Sequence, residues 1–330
     1  MGVRCKFTLL CFLWVFSIGC SMTRMAANQT TAIIIKAAPA FDRENDVELA
    51  EQAILSNLKM LEGLLEVIPD NPDLLLITSS SFSSYAFGFV EQKIEIADYN
   101  YQYEEKEKLV ERAVDFYGRG KNYGLRLLSK SQKNFPELLE ADLKDLSLAL
   151  QQFRKKDVPA LFWTAYAWGS LILLQQDSPA RIAELPVVNM MMQRVLVLDE
   201  KYFFGGPHLF YGGYFGIRPK TLGGDPEKAR EHILQAIEIT KGKYLMAKFL
   251  FAKFYAAPAQ DKDIFRSTLE EILAAPDDLF PEQRLANNLA KQNAARWLKR
   301  IDEIFFSKQT SRAKLTDINY GGHWKRLRFF

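Results

Sequence analysis

Apolar side chains recur at helical spacing along almost the whole chain from about residue 47 onward. In the first clear segment, Leu58, Leu61 and Leu65 follow one another at intervals of three or four residues. Short alternating strand patterns are nearly absent, with "TTAIIIK" as the one exception. Because a helix repeats every 3.6 residues and a strand every two, the spacing predicts an all-α fold. Its first helix pair is Glu48–Ile68 and Leu74–Glu95.

Helix pairs recur about every 40 residues in the second half of the chain. Asp225 followed by Pro226 is a typical helix start, because aspartate caps free backbone N–H groups and proline fits the first turn. The helix that starts there is followed by another from Tyr244, and Asp261–Ala275 and Pro281–Phe306 form a further pair. This repetition predicts a tetratricopeptide-like solenoid of helical hairpins over residues 41–306. The spacing favours an irregular helical bundle equally.

Two segments between these pairs also read as helices. The charged run "EEKEKLVERAVDFYGRGKNYGLRLL" predicts one long helix with a polar outer face. Gly118, Gly120 and Gly124 weaken this helix, and a break there is the alternative. Ala160–Gln175 is apolar nearly all round, so we expect it to be buried.

The N-terminus has the pattern of an export signal. Arg4 and Lys6 precede an apolar run of about ten residues, which is too short for a permanent membrane span. Residues 1–19 therefore predict a lipoprotein signal peptide in which Cys20 becomes the lipid-modified first residue. Ser17 stands where such signals usually carry leucine, and the alternative is an ordinary cleaved signal peptide. Residues 20–40 then predict a lipidated tether.

The positions of the cysteines and the net charge exclude several classes of function. All three cysteines, Cys5, Cys11 and Cys20, lie in the N-terminal segment, so the mature chain has no thiol for a disulfide or a metal site. Of 43 basic and 40 acidic residues, only Arg4 and Lys6 lie in residues 1–19, which leaves 41 against 40. A nucleic-acid binder normally has a clear basic excess, so we do not expect that class.

Motifs for catalysis are absent from the sequence. It contains no Walker pattern, no G-x-G-x-x-G, no G-x-S-x-G and no H-E-x-x-H. His208, His232 and His323 stand apart from one another, without the spacing of a metal site. Carboxylates are plentiful, but we assign them to solvated helix faces. The sequence therefore predicts no catalytic residues, no metal and no cofactor.

The stretch "YFFGGPHLFYGGYF" is the strongest candidate for a binding site, with seven aromatic rings in fourteen residues. Rings at a glycine-rich joint can line an apolar cavity, in which tyrosine hydroxyls supply polar contacts. Core filling between helices is the alternative. The candidate ligand or pore residues are His208, Phe210, Tyr211, Tyr214, Phe215 and Arg218. The residues expected to form turns and caps are Gly205, Gly206, Pro207, Gly212, Gly213, Gly223, Gly224, Asp225 and Pro226.

The last 24 residues, 307–330, carry six basic side chains against one acidic one and end in "HWKRLRFF". We expect a partly ordered basic and aromatic tail. Docking on an acidic partner or a membrane surface is the alternative.

The block Gly205–Ala256 resembles the signature of the TRAP transporter T-component family. The early segments "FDRENDVELAEQAILSNLKMLEGLLEVIPDNPDLLL" and "SYAFGFVEQ" are similar to the same family. The resemblance implies a periplasmic lipoprotein that forms a homotrimer, with a central pore or cavity in each protomer. It further implies binding to a TRAP substrate-binding protein and to a small hydrophobic or carboxylated ligand.

These observations predict an accessory protein of TRAP-type solute transport, lipid-anchored in the periplasm and sorted to the outer membrane. It is not expected to be an enzyme. The alternative is a tetratricopeptide-type lipoprotein scaffold that binds peptides or envelope-assembly proteins. An enclosed channel would favour the first function, and an open groove for extended peptides would favour the second.

Overall fold

The computed structural model describes residues 22–139 and 142–305 of the 330-residue chain. No strand occurs among these residues, which confirms the predicted all-α fold. The predicted signal peptide, Cys20 and the basic tail of residues 307–330 lie outside the described ranges. The tetratricopeptide-like stacking of the helix pairs stays a prediction.

The helices follow one another with short connections. In chain order they are α1 (22–37), α2 (Pro39–Asp42), α3 (Val47–Val67), α4 (Pro72–Tyr85), α5 (Glu91–Tyr99), α6 (Tyr103–Ser131), α7 (Phe135–Leu139), α8 (Leu143–Gln152), α9 (Val158–Leu174), α10 (Pro179–Ile182), α11 (Leu185–Asp199), α12 (Tyr202–Gly216), α13 (Pro226–Ile239), α14 (Leu245–Phe251), α15 (Lys262–Ala274), α16 (Arg284–Lys299) and α17 (Ile301–Ile304). Two π-helical segments, Ala86–Val90 and Ala252–Ala256, continue α4 into α5 and extend α14.

Several helices begin at a side-chain cap. Asp46, Asn71 and Asp261 each accept hydrogen bonds from backbone N–H groups in the first turn of α3, α4 and α15. A cap satisfies donors that have no partner inside the helix, so these residues set where each helix starts.

Helix α9 lies at the centre of the fold. It packs against α4, α6, α11 and α12, and most of its residues are buried. The segment Lys155–Leu174 is long and apolar enough to cross a membrane by length and composition, but most of it is buried inside the protein. A buried core helix is apolar on all sides because other apolar side chains surround it, just as lipid surrounds a membrane span.

Helix α6 is unbroken, which agrees with the prediction of one long helix, and the alternative of a break at its glycines is wrong. The glycines instead allow neighbouring helices to approach. A Cβ at Gly124 would lie 2.1 Å from Thr164 Oγ1 on α9, and a Cβ at Gly120 would lie 2.5 Å from Ser83 Oγ on α4. The favourable packing of α6 against α4 and α9 outweighs the low helix propensity of glycine.

The segment predicted as a tether is helical from residue 22 to residue 37, so that prediction is wrong for these residues. Ala27 and Ile34 of α1 are buried against Leu61 and Leu74 of the next two long helices. The strand-like run "TTAIIIK" lies within α1, because its isoleucines continue a helix whose inner face is set by Ala27, Thr31 and Ile34.

Candidate functional site

A cluster of charged side chains lies inside the helical body. Glu95 of α5 accepts hydrogen bonds from Lys253 Nζ at 2.6 Å, Arg296 Nη2 at 2.9 Å and Trp297 Nε1 at 3.1 Å. The side chains of Lys253 and Glu95 are only 4% and 12% exposed. Burial alone would raise the pKa of Glu95, but Lys253 and Arg296 more than offset it and lower that pKa. Glu95 is therefore a fully paired carboxylate.

A second carboxyl, Glu91, lies one helical turn before Glu95 and is paired differently. It accepts a hydrogen bond from the Tyr117 hydroxyl of α6. Burial raises the pKa of Glu91, and the opposing effects of Lys253 and Tyr117 do not cancel that rise. Glu91 and Glu95 thus have pKa values shifted in opposite directions within one turn of helix.

The Tyr117 hydroxyl is the group that contacts Glu91 directly, and the Tyr166 ring lies against the Tyr117 ring with centroids 6.3 Å apart. Tyr166 and Ser170 both act electrostatically on Tyr117, and burial raises the pKa of Tyr117 and Tyr166 well above the usual value. We call Glu91, Tyr117, Tyr166 and Ser170 the polar centre. Glu91, Tyr166 and Ser170 keep part of their surface accessible although they lie deep in the fold.

Two π-helical segments adjoin these charged residues. Ala86–Val90 immediately precedes Glu91, and Ala252–Ala256 contains Lys253. A π-turn holds one residue more than an α-turn, so it rotates the following residues by about 100° around the helix axis. This rotation is consistent with charged residues that lie inside the fold next to an apolar helix face.

Aromatic rings lead from the polar centre toward the α11–α12 junction. Tyr166 stacks on Phe162 with ring centroids 5.9 Å apart. Beyond it, Trp163 and Phe203 have centroids 4.7 Å apart, and Phe204 stacks on Tyr244 at 4.9 Å. The rings form a continuous apolar wall beside the polar centre, which we call the aromatic wall.

The backbone is strained where the aromatic wall reaches α12. Phe203, Phe204 and Gly205 have φ values of 45°, 59° and 75°. A left-handed conformation costs a bulky residue about 1–3 kcal/mol, so two phenylalanines in succession are unusual. A Cβ at Gly205 would also lie 2.9 Å from Ala236 Cα, so only glycine fits there. Such strain is typical of residues held in place for binding.

A family model described as TRAP transporter T-component matches residues 43–306 of the chain. The chain belongs to the TRAP transporter T-component family. This match confirms the resemblance seen in the sequence and makes the protein an accessory component of TRAP-type transport. A search among curated proteins gave no match.

The six candidate ligand residues of this T-component lie on or just after α12 and have partners within the protein. The Tyr211 hydroxyl donates a hydrogen bond to Asn189 on α11 at 3.1 Å. The Arg218 guanidinium lies 3.6 Å from the centre of the Tyr214 ring, and its Nη2 donates to the carbonyl of Gly223 at 3.2 Å. Phe210 and Phe215 pack in the same cluster as Tyr211. A ligand role for these residues stays a prediction.

His208 and His232 of the T-component form a pair. Their Nδ1 atoms are 3.0 Å apart, so one donates a hydrogen bond and the other accepts it. Tyr211 and Phe215 stack on the His232 ring. The sequence interpretation that the histidines stand apart is therefore wrong for these two residues, which α12 and α13 bring together. Among the described residues, no group of three or more His, Cys, Asp or Glu has a metal-binding arrangement.

Acid is expected to destabilise the T-component through this pair. Burial first and His208 second lower the pKa of His232 to about 4, against about 6.5 in an unfolded chain. His232 therefore binds a proton less readily in the folded state than in the unfolded state. The free energy of unfolding has its full value above pH 6.5 and declines as the pH falls toward 4. After allowance for partial exposure, we expect a loss of about 1–2 kcal/mol between pH 8 and pH 5.

Urea unfolding at pH 8, 7, 6 and 5 measures this loss. His232→Asn keeps an amide near the position of Nδ1 but cannot titrate. The difference in unfolding free energy between the parent and this variant should shrink toward pH 5. A difference that stays constant over that range contradicts the prediction.

The glycines and the helix start predicted after α12 have separate roles in the T-component. The chain turns at Phe203–Gly205, and Gly206 and Pro207 begin the regular part of α12 directly after this kink. Gly212 and Gly213 lie inside the helix, so the prediction of a turn is wrong for these two. A Cβ at Gly212 would lie 2.3 Å from Ile233 Cγ1, so this glycine allows α12 and α13 to touch. Gly223 and Gly224 lie in the loop before α13, where Asp225 accepts from the backbone N–H of Lys228 and Pro226 occupies the first turn.

The polar centre was missed in the sequence because carboxylates were assigned to solvated faces, which is wrong for Glu91 and Glu95. One signal was available. Lys253 stands in the otherwise apolar run "FLFAKFYAA", where a lysine predicts a buried carboxylate partner. Nothing in the sequence shows which carboxylate that partner is, because Glu95 lies 158 residues away.

Proposed function

We propose that this T-component is a periplasmic protein, anchored to the outer membrane by lipid on Cys20, that binds a TRAP substrate-binding protein and holds a small ligand between its helices. Family membership supports the transport role. The N-terminal sequence supports the lipid anchor. The homotrimer implied by the resemblance is part of this proposal.

The main support for a ligand site is that residues of the polar centre lie deep in the fold and still have accessible surface. Burial is strong enough to raise the pKa of Glu91 and Tyr166, yet these residues and Ser170 are only half-buried. A polar group that is deep and still accessible borders an internal space that water or a ligand can fill. We infer that this space lies between α5, α6 and α9 and continues along the aromatic wall.

The residues around this space favour a ligand with an apolar body and one polar end. Ligand sites in proteins are mostly apolar, with a few polar groups that fix orientation. Here Phe87, Phe162 and Phe204 supply half-buried or buried rings, and the polar centre supplies hydroxyls and a carboxyl. A small hydrophobic or carboxylated molecule fits this chemistry.

The ligand is held and passed on without a chemical change in this proposal. Ser170 is the one aliphatic hydroxyl of the polar centre, and the usual activated serine is paired with a histidine base. His208 and His232 hydrogen-bond to each other. The T-component family is a transport accessory family, which agrees with this interpretation.

Co-purification tests the partner. The full chain, tagged and extracted from its membrane, should retain a TRAP substrate-binding protein from the same organism at micromolar concentration. A surface variant outside the family-matched range, such as Met25→Ala on α1, serves as a matched control and should retain it equally. Binding of extended peptides without any substrate-binding protein would support the scaffold function instead.

The ligand is tested separately. Denaturation of protein purified from its own cell envelope should release a small molecule at close to one per protomer, detected by mass spectrometry. Protein that binds its partner but releases no molecule, and takes up none from an envelope extract, contradicts the internal ligand site.

A further inference from the structure

The charges around the polar centre are balanced two against two. Lys253 and Arg296 are the cations, and Glu91 and Glu95 are the carboxylates. An ion is costly in a low-dielectric interior unless an opposite charge accompanies it. A ligand that enters the space beside the polar centre must therefore keep the net charge there at zero or bring a compensating charge with it.

The two carboxylates differ in their capacity to take up a proton. Glu95 is held ionised by two cations and the Trp297 N–H, which together lower its pKa. Glu91 receives a single hydrogen bond, from Tyr117, and burial raises its pKa. Glu91 is thus the group that accepts a proton at the least cost.

We propose that the polar centre binds a monocarboxylate together with one proton, and that Glu91 carries this proton. The inference rests on the internal ligand site proposed above and assigns the charge of its ligand. A bound carboxylate adds a third negative charge, and a proton on Glu91 removes one, so the balance is restored. A bound ammonium group would add a third positive charge with nothing to offset it.

Protonation also changes the hydrogen-bonding character of the polar centre. Ionised Glu91 presents acceptor oxygens to the space, whereas protonated Glu91 presents an O–H donor. Protonated Glu91 then offers its own donor, and the partly accessible side chains of Tyr166 and Ser170 add polar contacts that suit the oxygens of a carboxylate. The proton moves from solvent to a Glu91 oxygen, and no covalent bond of the ligand changes.

Among the described residues, the tyrosines close to Glu91 do not take this role near neutral pH. Tyr117 on α6 and Tyr166 on α9 have pKa values raised by burial, so both stay protonated. Tyr244, which influences Tyr166, has a pKa raised by burial and by Asp42 on α2. Burial also raises the pKa of Asp42, but this carboxyl acts on Tyr244 and is not among the groups that shift the pKa of Glu91.

Calorimetric titration of the full chain with octanoate tests this inference, with a protein-free blank for the detergent. Titrations at pH 8 in phosphate and in Tris give the number of protons taken up, because the two buffers have different enthalpies of ionisation. The parent should take up close to one proton per octanoate. Its affinity should rise as the pH falls, by up to tenfold per pH unit. Octanol should bind without proton uptake.

Glu91→Gln mimics the protonated acid, so it should bind octanoate with no proton uptake and with a pH-independent affinity. Tyr117→Phe removes the donor that stabilises the charged carboxyl, so it should move the pH dependence to higher pH. Glu48→Gln on the surface of α3 is the matched control and should behave like the parent. Tyr117→Phe also keeps the test valid if Glu91→Gln does not fold.

The outcomes separate this inference from the proposed function. Octanoate and octanol both binding without proton uptake at pH 8 would overturn proton coupling and leave the internal site intact. Octylammonium binding more tightly than octanoate would overturn the assigned charge. Absence of binding by all three probes would overturn both the site and the inference.

Discussion

Replacing Glu95 by glutamine is expected to lower the free energy of unfolding by about 3–5 kcal/mol, which is typical when one partner of a buried ion pair is removed. The substitution leaves the buried Lys253 and the half-buried Arg296 without the carboxylate that now accepts from both. The Lys253 side chain is 4% exposed, so water cannot replace the lost partner. Urea unfolding at pH 7 measures the change.

The same region offers a matched control for this prediction. Lys248 of α14 pairs with Glu271 at the same distance of 2.6 Å, but the Glu271 side chain is 62% exposed. Glu271→Gln should therefore cost no more than about 1 kcal/mol. Adding Lys253→Met to Glu95→Gln should recover part of the loss, because it removes one unpaired cation. A cost below about 1 kcal/mol for Glu95→Gln would contradict a buried pair.

Replacing Gly124 by alanine is expected to destabilise the protein by about 1–3 kcal/mol, the usual cost of overfilling a packed interior. The added methyl would lie 2.1 Å from Thr164 Oγ1 and 3.0 Å from Thr164 Cβ. Thr164 cannot turn away freely, since it is fully buried and donates a hydrogen bond to the carbonyl of Ala160 at 2.6 Å. Helices α6 and α9 would have to separate.

Gly63 on α3 is the control, because its replacement by alanine should raise the free energy of unfolding instead of lowering it. No atom lies within 4 Å of a Cβ added at Gly63, and the residue is exposed within a long helix. Gly63→Ala should therefore stabilise the protein by about 0.5–1 kcal/mol through helix propensity alone. Thermal unfolding of both variants tests the pair. Equal shifts of the melting temperature in the same direction would contradict the claim that close packing at Gly124 stabilises the protein.

The all-α fold could be predicted because local signals fix where helices start and stop. The predicted helix Glu48–Ile68 corresponds to Val47–Val67, and a cap at Asp46 explains its start. Asp261 acts in the same way for α15. Such signals operate within one turn of chain, so the sequence contains them in full.

Local signals failed where long-range packing decides the conformation. The glycines of α6 look like helix breakers in sequence, yet Gly120 and Gly124 are the contact points for α4 and α9. Likewise residues 20–40 are predicted as a tether, and only the contact of α1 with α3 and α4 explains why Ala27 and Ile34 are buried. These contacts depend on partners far away along the chain.

The candidate site was predicted least well. The aromatic stretch is recognised in the sequence, but its Phe203 and Phe204 join the aromatic wall. Its later rings pack against α11 and against His232 of α13. The polar centre combines Glu91, Tyr117 and Tyr166 from three helices. Two π-turns, which have no clear sequence signature, accompany its charged residues.

The central claim is that an internal space open to small molecules lies beside the polar centre. Cysteine labelling tests it directly, because Ser170→Cys changes one atom and leaves the space in place. A small methanethiosulfonate reagent should label Ser170→Cys at least tenfold faster than Ser83→Cys, whose parent serine is fully buried on α4. The parent chain gives the background from its own cysteines, and octanoate should protect Ser170→Cys. Equally slow labelling of both variants would contradict the claim.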